Sequence, residues 1–340
     1  MSYRLFFSKL PSNFLTLLFV LCTALQISAQ DVVRKRTTML MGGRFDITIV
    51  AADSLQAERN IDIVIEEIDR IEHLISDWKP TSQISLVNQN AGIKPVKVDQ
   101  EVFELTKRAL QLSKETAGAF DISFAALDKI WKFDGSMTEM PSEECKKRSI
   151  RNVGYEKIIL DSANGTIFLK QAGMKIGFGA LGEGYATNKC QELMIARGIK
   201  SGIINGSGDM STWGKQTNGE HWNIGITNPF KPNDLYGVIA LKEGAVTTSG
   251  SYEKFAIIDG KRYSHIINPV TAYPASGLCS VTVFGPNAEF CNGFSTSAMV
   301  LGKDKAIDFL NRQSGYSYLI ITDSGKIIKS KNLMKIKKVK

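Results

Sequence analysis

Two glycine-rich segments have the composition of phosphate-binding loops. Residues 177–184 precede an expected helix that runs to about residue 197, and residues 206–209 follow an expected strand. Glycine lets backbone N–H groups approach a phosphate closely, and the first turn of a helix adds partial positive charge there. The same glycines also suit helix capping and close packing. The glycines alone therefore leave both interpretations open.

Three side chains have the chemistry to bind a heteroaromatic ring. Trp78 lies in a polar segment, where an indole either stacks on a ring or caps a packed surface. Phe120 and Asp121 combine an apolar wall with a carboxylate that can accept N–H bonds from a flavin or an adenine. Asp121 also suits the N-cap of a short helix. We expect a ring-binding site here, with packing and capping as the alternatives.

His265 is the histidine whose setting suggests chemistry. It follows an expected strand end and precedes the turn at Pro269. An imidazole at such a site can take a proton from a hydroxyl or orient a phosphate. A packing role with satisfied hydrogen bonds is the alternative. The chain has only three histidines, which excludes a histidine-rich metal site.

The apolar periodicity predicts the elements that position these residues. Residues 44–50 alternate as a strand, and isoleucines recur at three- and four-residue steps in a helix that starts after Asp53. We expect a loop at 76–88, a helix at about 100–116, a hairpin at 155–169 and a helix at about 295–312. Short strands are expected at 222–226, 238–241, 245–248, 255–258, 281–284 and 318–322. This order predicts an α+β fold with antiparallel sheet.

The formal net charge of +8 is concentrated at the two ends. Residues 1–29 carry two cations before an apolar run and small residues, the pattern of a signal peptide. Cys22 raises lipidation as an alternative, but Leu21 stands where a lipobox has a small residue. Residues 326–340 hold seven lysines and no acid. The body between these ends carries about one negative charge, which excludes a nucleic-acid-binding body. We expect export to the periplasm and a basic tail that is solvated or contacts an anionic membrane surface.

Cysteine spacing and short motifs exclude other functions. Cys145, Cys190, Cys279 and Cys291 show no paired spacing, so we expect free thiols, most of them buried. No nucleophile elbow, Walker A or dinucleotide-binding glycine motif stands between a strand and a helix. The sequence gives no support for a serine hydrolase.

Eight polar loops occur in an order and spacing that resemble one family. They are 41–42, 76–88, 118–121, 179–186, 205–209, 248–252, 265–269 and 295–302. Together they closely resemble the FAD:protein FMN transferase (ApbE) family over roughly residues 38–322. The resemblance implies a T-fold-related α+β domain at residues 30–325, with antiparallel sheets, packed helices and an FAD cleft between subdomains.

The resemblance also implies a reaction and its residues. A threonine of an exported protein, a subunit of a redox-driven ion pump, attacks the FMN phosphorus of FAD, and AMP leaves with the help of Mg²⁺. His265 takes the catalytic position. Flavin contacts carry over to Met41, Trp78, Ala119, Phe120, Asp121, Glu183 and Ile267. Metal ligation carries over to the carbonyl of Ala180, to Asn292 and Thr296 near the start of the late helix, and to the adjacent Ser295.

The chain departs from the family pattern at three acidic positions. Gly177, Ser251 and Asn292 stand where the family commonly has aspartate. Asn292 still offers a carbonyl oxygen, but a neutral ligand holds Mg²⁺ with less electrostatic gain. These departures leave two alternatives to transfer: hydrolysis of FAD, and flavin binding without catalysis.

Overall fold

The computed structural model describes residues 31–127, 130–252 and 254–338. The predicted signal peptide, with Cys22, lies outside these residues. The helices are α1 (Ser54–Ile75), α2 (Gln83–Gln89), α3 (Gln100–Glu115), α4 (Glu143–Ser149), α5 (Gly182–Ala196), α6 (Ala288–Leu301) and α7 (Lys303–Asn311), with 3₁₀ turns at Ile122–Ala126 and Tyr155–Lys157. The strands are β1 (Val32–Leu40), β2 (Gly43–Ala51), β3 (Val96–Lys97), β4 (Ile158–Asp161), β5 (Thr166–Leu169), β6 (Ser201–Gly206), β7 (Asp209–Trp213), β8 (Trp222–Asn228), β9 (Lys231–Leu241), β10 (Gly244–Gly250), β11 (Phe255–Ile258), β12 (Lys261–Ser264), β13 (Ile267–Asn268), β14 (Tyr273–Pro274), β15 (Leu278–Gly285), β16 (Ser317–Thr322) and β17 (Ile327–Lys329).

An eight-stranded sheet forms the centre of the molecule. Its strand order is β1-β2-β6-β7-β10-β15-β16-β17, and every neighbouring pair is antiparallel. Four smaller sheets accompany it: β3-β5-β4, β8-β9, β11-β12 and β13-β14. Helices α1, α5 and α6 pack against strands of the large sheet. The predicted α+β fold with antiparallel sheets is confirmed.

Helix α1 shows how the sequence builds the core. The carboxylate of Asp53 accepts the backbone N–H of Gln56 and so caps the helix start. Ile61, Ile68 and Ile71 recur on one face and are fully buried. At about 25 cal/mol per Å² of buried apolar area, each such side chain contributes roughly 1.5–3 kcal/mol to folding.

Two predictions from the sequence were wrong, and one strand was missed. Residues 76–88 are not all loop, because Ser82 caps helix α2 by accepting the N–H of Ser85. The late helix is two helices, since Gly302 adopts a φ of 74° between them, and the first begins well before residue 295. Strand β1 was missed, because an edge strand with mostly exposed side chains lacks a continuous apolar face.

The basic C-terminal segment packs against the domain through residue 338. β17 pairs with β16, and Val238 and Lys337 exchange two backbone hydrogen bonds of 2.8 Å. This part of the chain is therefore ordered on the surface of the domain and is not a solvated extension.

The four cysteines of the described residues are free thiols, and three of them are buried, as expected. No helix within residues 31–338, as far as they are described, is long and apolar enough to cross a membrane.

Candidate functional site

A cleft of about 810 Å³ collects the predicted site residues. Eleven of the twelve line it: Met41, Trp78, Ala119, Phe120, Asp121, Ala180, Glu183, His265, Ile267, Asn292 and Thr296. Ser295 is the exception. It is fully buried, and its hydroxyl donates to the carbonyl of Asn292. Ser295 therefore supports the helix backbone behind the cleft and is not placed to contact a ligand directly.

A tight turn after α3 presents the aromatic wall. Ala117 and Gly118 both adopt positive φ angles, of 50° and 82°. Thr116 then accepts the backbone N–H of Phe120 through its hydroxyl, at 3.1 Å. Phe120 is only 4% exposed, because its ring belongs to the core as well as to the cleft wall. Trp78, by contrast, is 57% exposed at the cleft and is available to stack on a ring.

The Asp121 carboxylate is held by three donors. One oxygen accepts the N–H and the hydroxyl of Ser123, and the other accepts the N–H of Tyr155. Burial raises the pKa of Asp121, and these hydrogen bonds oppose that shift. The capping role is therefore real, and it fixes the carboxylate at the wall of the cleft.

The glycine-rich loop ends in a helix N-terminus that points to the cleft lining. The N-cap residue of α5, Leu181, has no capping side chain, and Gly179, Ala180 and Gly182 all line the cleft. Two N–H groups of the first turn already have acceptors, since Gly182 donates to the Phe178 carbonyl and Gly184 to the Asp209 carboxylate. The partial positive charge of the helix N-terminus still favours an anion there. Gly184 has a packing role, because a Cβ there would lie 2.6 Å from the carbonyl oxygen of Ala288. Both interpretations of this loop thus apply, at different glycines.

Glu183 also lines the cleft, and its surroundings act on its pKa in opposite directions. Burial raises its pKa, while a hydrogen bond with Ser207 and the charge of Lys254 oppose the rise. Gly43 has no side chain to interfere, and a Cβ at that position would overlap both Ser207 Oγ and Glu183 Oε1. The first residue of β2 can therefore lie this close to Ser207 and Glu183 only because it is glycine.

Asn292 is tied to a buried carboxylate. Its amide nitrogen donates to Asp209 at the start of β7, and this leaves its carbonyl oxygen on the side of Thr296, 3.5 Å from the hydroxyl. Burial, followed by the negative charge of Glu183, raises the pKa of Asp209 well above its ordinary value. Thr296 also shares a 3.1 Å hydrogen bond with Ser249. Asn292 and Thr296 lie one turn apart within α6, because this helix begins at Ala288 and not at about residue 295 as the sequence analysis expected.

The oxygen donors of the predicted metal site line one cleft, and their chemistry fits Mg²⁺ when a phosphorylated ligand adds charge. The Asn292 carbonyl, the Thr296 hydroxyl and the Ala180 carbonyl are hard oxygen donors, which Mg²⁺ prefers. They carry no charge, and no cluster of three His, Cys, Asp or Glu that could hold a metal occurs among the described residues. Asp209 supplies a carboxylate behind Asn292.

A second carboxylate lies next to Gly177. Asp77 Oδ2 is 3.0 Å from the point that a Cβ on residue 177 would occupy. Asp77 lines the cleft, so an acidic group is present beside the position where the family commonly has aspartate. Ser251 does not line the cleft; its hydroxyl donates to the carbonyl of Cys279.

His265, which also lines the cleft, is held through its backbone and its ring. Its backbone N–H donates to the Lys254 carbonyl, and Nδ1 is 3.1 Å from the same oxygen. A carbonyl only accepts, so Nδ1 carries the hydrogen and the lone pair of the neutral ring is on Nε2. The Phe133 ring packs edge-on against the imidazole, at 6.4 Å.

Sequence reasoning missed four charged residues of the cleft: Glu72, Asp77, Asp209 and Lys254. Asp209 ended a glycine-rich segment that was noted for its glycines alone. Strand pairing of β6 with β7 is what turns it toward α6.

The chain has the fold of flavin transferase ApbE from Vibrio cholerae, with a TM-score of 0.78, 22% identity and coverage of 88% of this chain and 98% of that one. The sequence model of the ApbE family matches residues 41–320, and the chain belongs to the ApbE family. The ApbE protein of Thermotoga maritima is 29% identical, with a TM-score of 0.80 over 88% of this chain and 97% of that one. A protein of Klebsiella pneumoniae named FAD:protein FMN transferase is 28% identical over 83% of both chains. One of Treponema pallidum with the same name is 29% identical over 74% of this chain and 73% of its own.

Proposed function

We propose that the protein is a Mg²⁺-dependent FAD:protein FMN transferase, which moves FMN from FAD to a threonine of an exported protein. The observation that carries this proposal is that one cleft gathers eleven of the twelve residues that the family resemblance assigns to the site. Its volume of about 810 Å³ suits a large ligand. The names of the curated relatives support the same activity.

Two parts of the cleft lining suit two parts of FAD. Trp78, Phe120 and Asp121 offer ring-stacking surface and a fixed carboxylate for the isoalloxazine. The start of α5, where Gly179, Ala180 and Gly182 line the cleft, offers the partial positive charge of a helix N-terminus to the pyrophosphate. Lys254 adds a positive charge on the His265 side.

The transfer exchanges one P–O bond for another. The threonine oxygen bonds to the FMN phosphorus, the bond from that phosphorus to the bridging oxygen breaks, and AMP leaves with that oxygen. His265 can take the threonine proton on Nε2, since Nδ1 is held as the donor to Lys254. Ala180, Asn292 and Thr296 would hold Mg²⁺. Bound Mg²⁺ would neutralise charge on the phosphate oxygens.

Residues 1–29 support the export part of the proposal. Their two cations, apolar run and small-residue end form a signal-peptide pattern. The acceptor is then a periplasmic segment that carries threonine, of the kind found on a subunit of a redox-driven ion pump.

The test is an incubation of the chain from Gln30 with FAD, Mg²⁺ and a threonine-containing peptide. A peptide with valine in place of threonine is the matched control. FMN-peptide together with AMP, formed only with threonine, supports transfer. Free FMN with AMP would indicate hydrolysis instead, and intact bound FAD would indicate a flavin binder without catalysis; either result contradicts the proposal.

A further inference from the structure

We propose that the basic C-terminal segment forms a docking surface for an anionic lipid bilayer. This surface, called the basic face, consists of residues 326–338 and the tip of the β8–β9 hairpin. Its exposed lysines are Lys326, Lys329, Lys331, Lys335, Lys337 and Lys338. Lys231 at the hairpin tip is exposed as well.

The lysines are held on an ordered backbone. Ile328 packs against the main core, and Leu333 and Ile336 pack against the apolar cluster of β8 and β9. The Val238–Lys337 bridge fixes the end of the segment. Ile328, Leu333 and Ile336 therefore face the domain and the lysines face solvent, so binding does not first require ordering of the segment.

The positive charge of the basic face is not neutralised by the protein. None of its six C-terminal lysines forms an ion pair with any acid in the described parts of the chain. Residues 326–338 contain no acid, and Asp323 just before them accepts the N–H of Gly277. An anionic surface within a Debye length would attract these cations directly.

Exposed apolar side chains lie among the lysines. Phe230 is 53%, Ile327 41% and Met334 37% exposed. Phe230 lies beside Gly325, since a Cβ there would be 3.7 Å from its ring. Lysines interspersed with exposed apolar side chains suit the headgroup region of a bilayer, where both find partners. A nucleic acid has no apolar layer to receive these exposed apolar side chains. The chain between its two ends also carries about one negative charge, so it does not extend the positive surface along a phosphate backbone.

The basic face lies close to the cleft along one hairpin. Gly225 and Thr227 of β8 line the cleft, and Phe230 is three residues beyond Thr227. At about 3.3 Å per residue, this places the cleft wall within roughly 10 Å of the docked surface. If the proposed function holds, docking presents the cleft to acceptor segments at the membrane surface.

The test measures co-sedimentation of the chain from Gln30, which keeps every described element, with lipid vesicles. Vesicles of phosphatidylcholine with phosphatidylglycerol are compared with vesicles of phosphatidylcholine alone, at low and high salt. One variant replaces four lysines of the basic face by glutamine: Lys329, Lys331, Lys335 and Lys338. The control variant removes the same charge from four exposed lysines elsewhere: Lys94, Lys114, Lys242 and Lys305.

We expect binding only to the anionic vesicles, weakened by salt. Each lysine removed from the basic face should lower the partition coefficient by about fivefold, so the four together should lower it by more than about a hundredfold. The control variant should bind like the unaltered protein. Equal binding to both vesicle types, equal loss in both variants, or equally tight binding to duplex DNA would overturn the inference.

Flavin transfer to a soluble peptide separates this inference from the proposed function. Transfer that persists in the basic-face variant while vesicle binding is lost supports both. Vesicle binding without any transfer would refute the proposed function alone. Transfer without vesicle binding in the unaltered protein would refute the docking surface alone.

Discussion

Replacing Asn292 by aspartate should destabilise the metal-free protein. The Asn292 amide donates to the buried Asp209 carboxylate, and aspartate would replace that donor with a second carboxylate. Burial already raises the pKa of Asp209, so a second carboxylate beside it would keep one of the two groups protonated, and the amide donor would be lost. Leaving a buried acceptor without its donor costs about 1–3 kcal/mol. We therefore expect Asn292→Asp to lower the free energy of unfolding by about 1–3 kcal/mol, which lowers the unfolding temperature by several degrees.

Thermal unfolding with and without Mg²⁺ and FAD measures this effect. Asn287→Asp is the matched control, because Asn287 caps the same helix and aspartate caps equally well. The sequence alone predicts that Asn292→Asp binds Mg²⁺ more tightly, so Mg²⁺ with FAD should stabilise this variant more than the unaltered protein. If Asn292→Asp and Asn287→Asp unfolded at the same temperature without metal, the contact with Asp209 would not have the role assigned here.

Three further predictions concern other parts of the molecule. Trp78→Ala should weaken FAD binding by about 0.5–1.5 kcal/mol in a fluorescence titration, with an unchanged unfolding temperature because the side chain is mostly exposed. Gly43→Ala should displace the Glu183 carboxyl and lower stability by about 1–3 kcal/mol in denaturant unfolding; an unchanged midpoint would contradict the close approach. Burial, the largest single influence, would raise the pKa of Glu101, but the hydrogen bonds from Arg70 and Tyr185 and the nearby positive charges together outweigh it and hold that pKa below the ordinary 4.5. Glu101→Gln should therefore lower stability at neutral pH, and the difference from the unaltered protein should disappear as the pH falls below about 4.5.

The sequence predicted the parts of the fold that local patterns determine. The buried isoleucines of α1 recur with helical period, and the turn at Asn164 and Gly165 marks the β4–β5 hairpin. Edge strand β1 and the short helix α2 were missed because their side chains are largely polar or exposed, so tertiary pairing and a serine cap decide their structure.

Site residues were predictable from the sequence where neighbouring residues of one loop line the cleft together. Ala119, Phe120 and Asp121 reach the cleft together because a single turn presents them. The partnership of Asn292 with Asp209 joins two elements 83 residues apart in sequence, and no spacing signals it. The carboxylate of Asp77 beside Gly177 is likewise visible only when two loops are folded together.

The edge strands of the large sheet, β1 and β17, limit how far the chain can be shortened. β1 covers one edge through nine residue pairs with β2, and β17 covers the other edge beside β16, whose six residues are all buried. A chain trimmed to the family match at residues 41–320 loses both covering strands. Its newly unpaired N–H and C=O groups would then template strand addition by other copies, so such a fragment should aggregate although its cleft is intact.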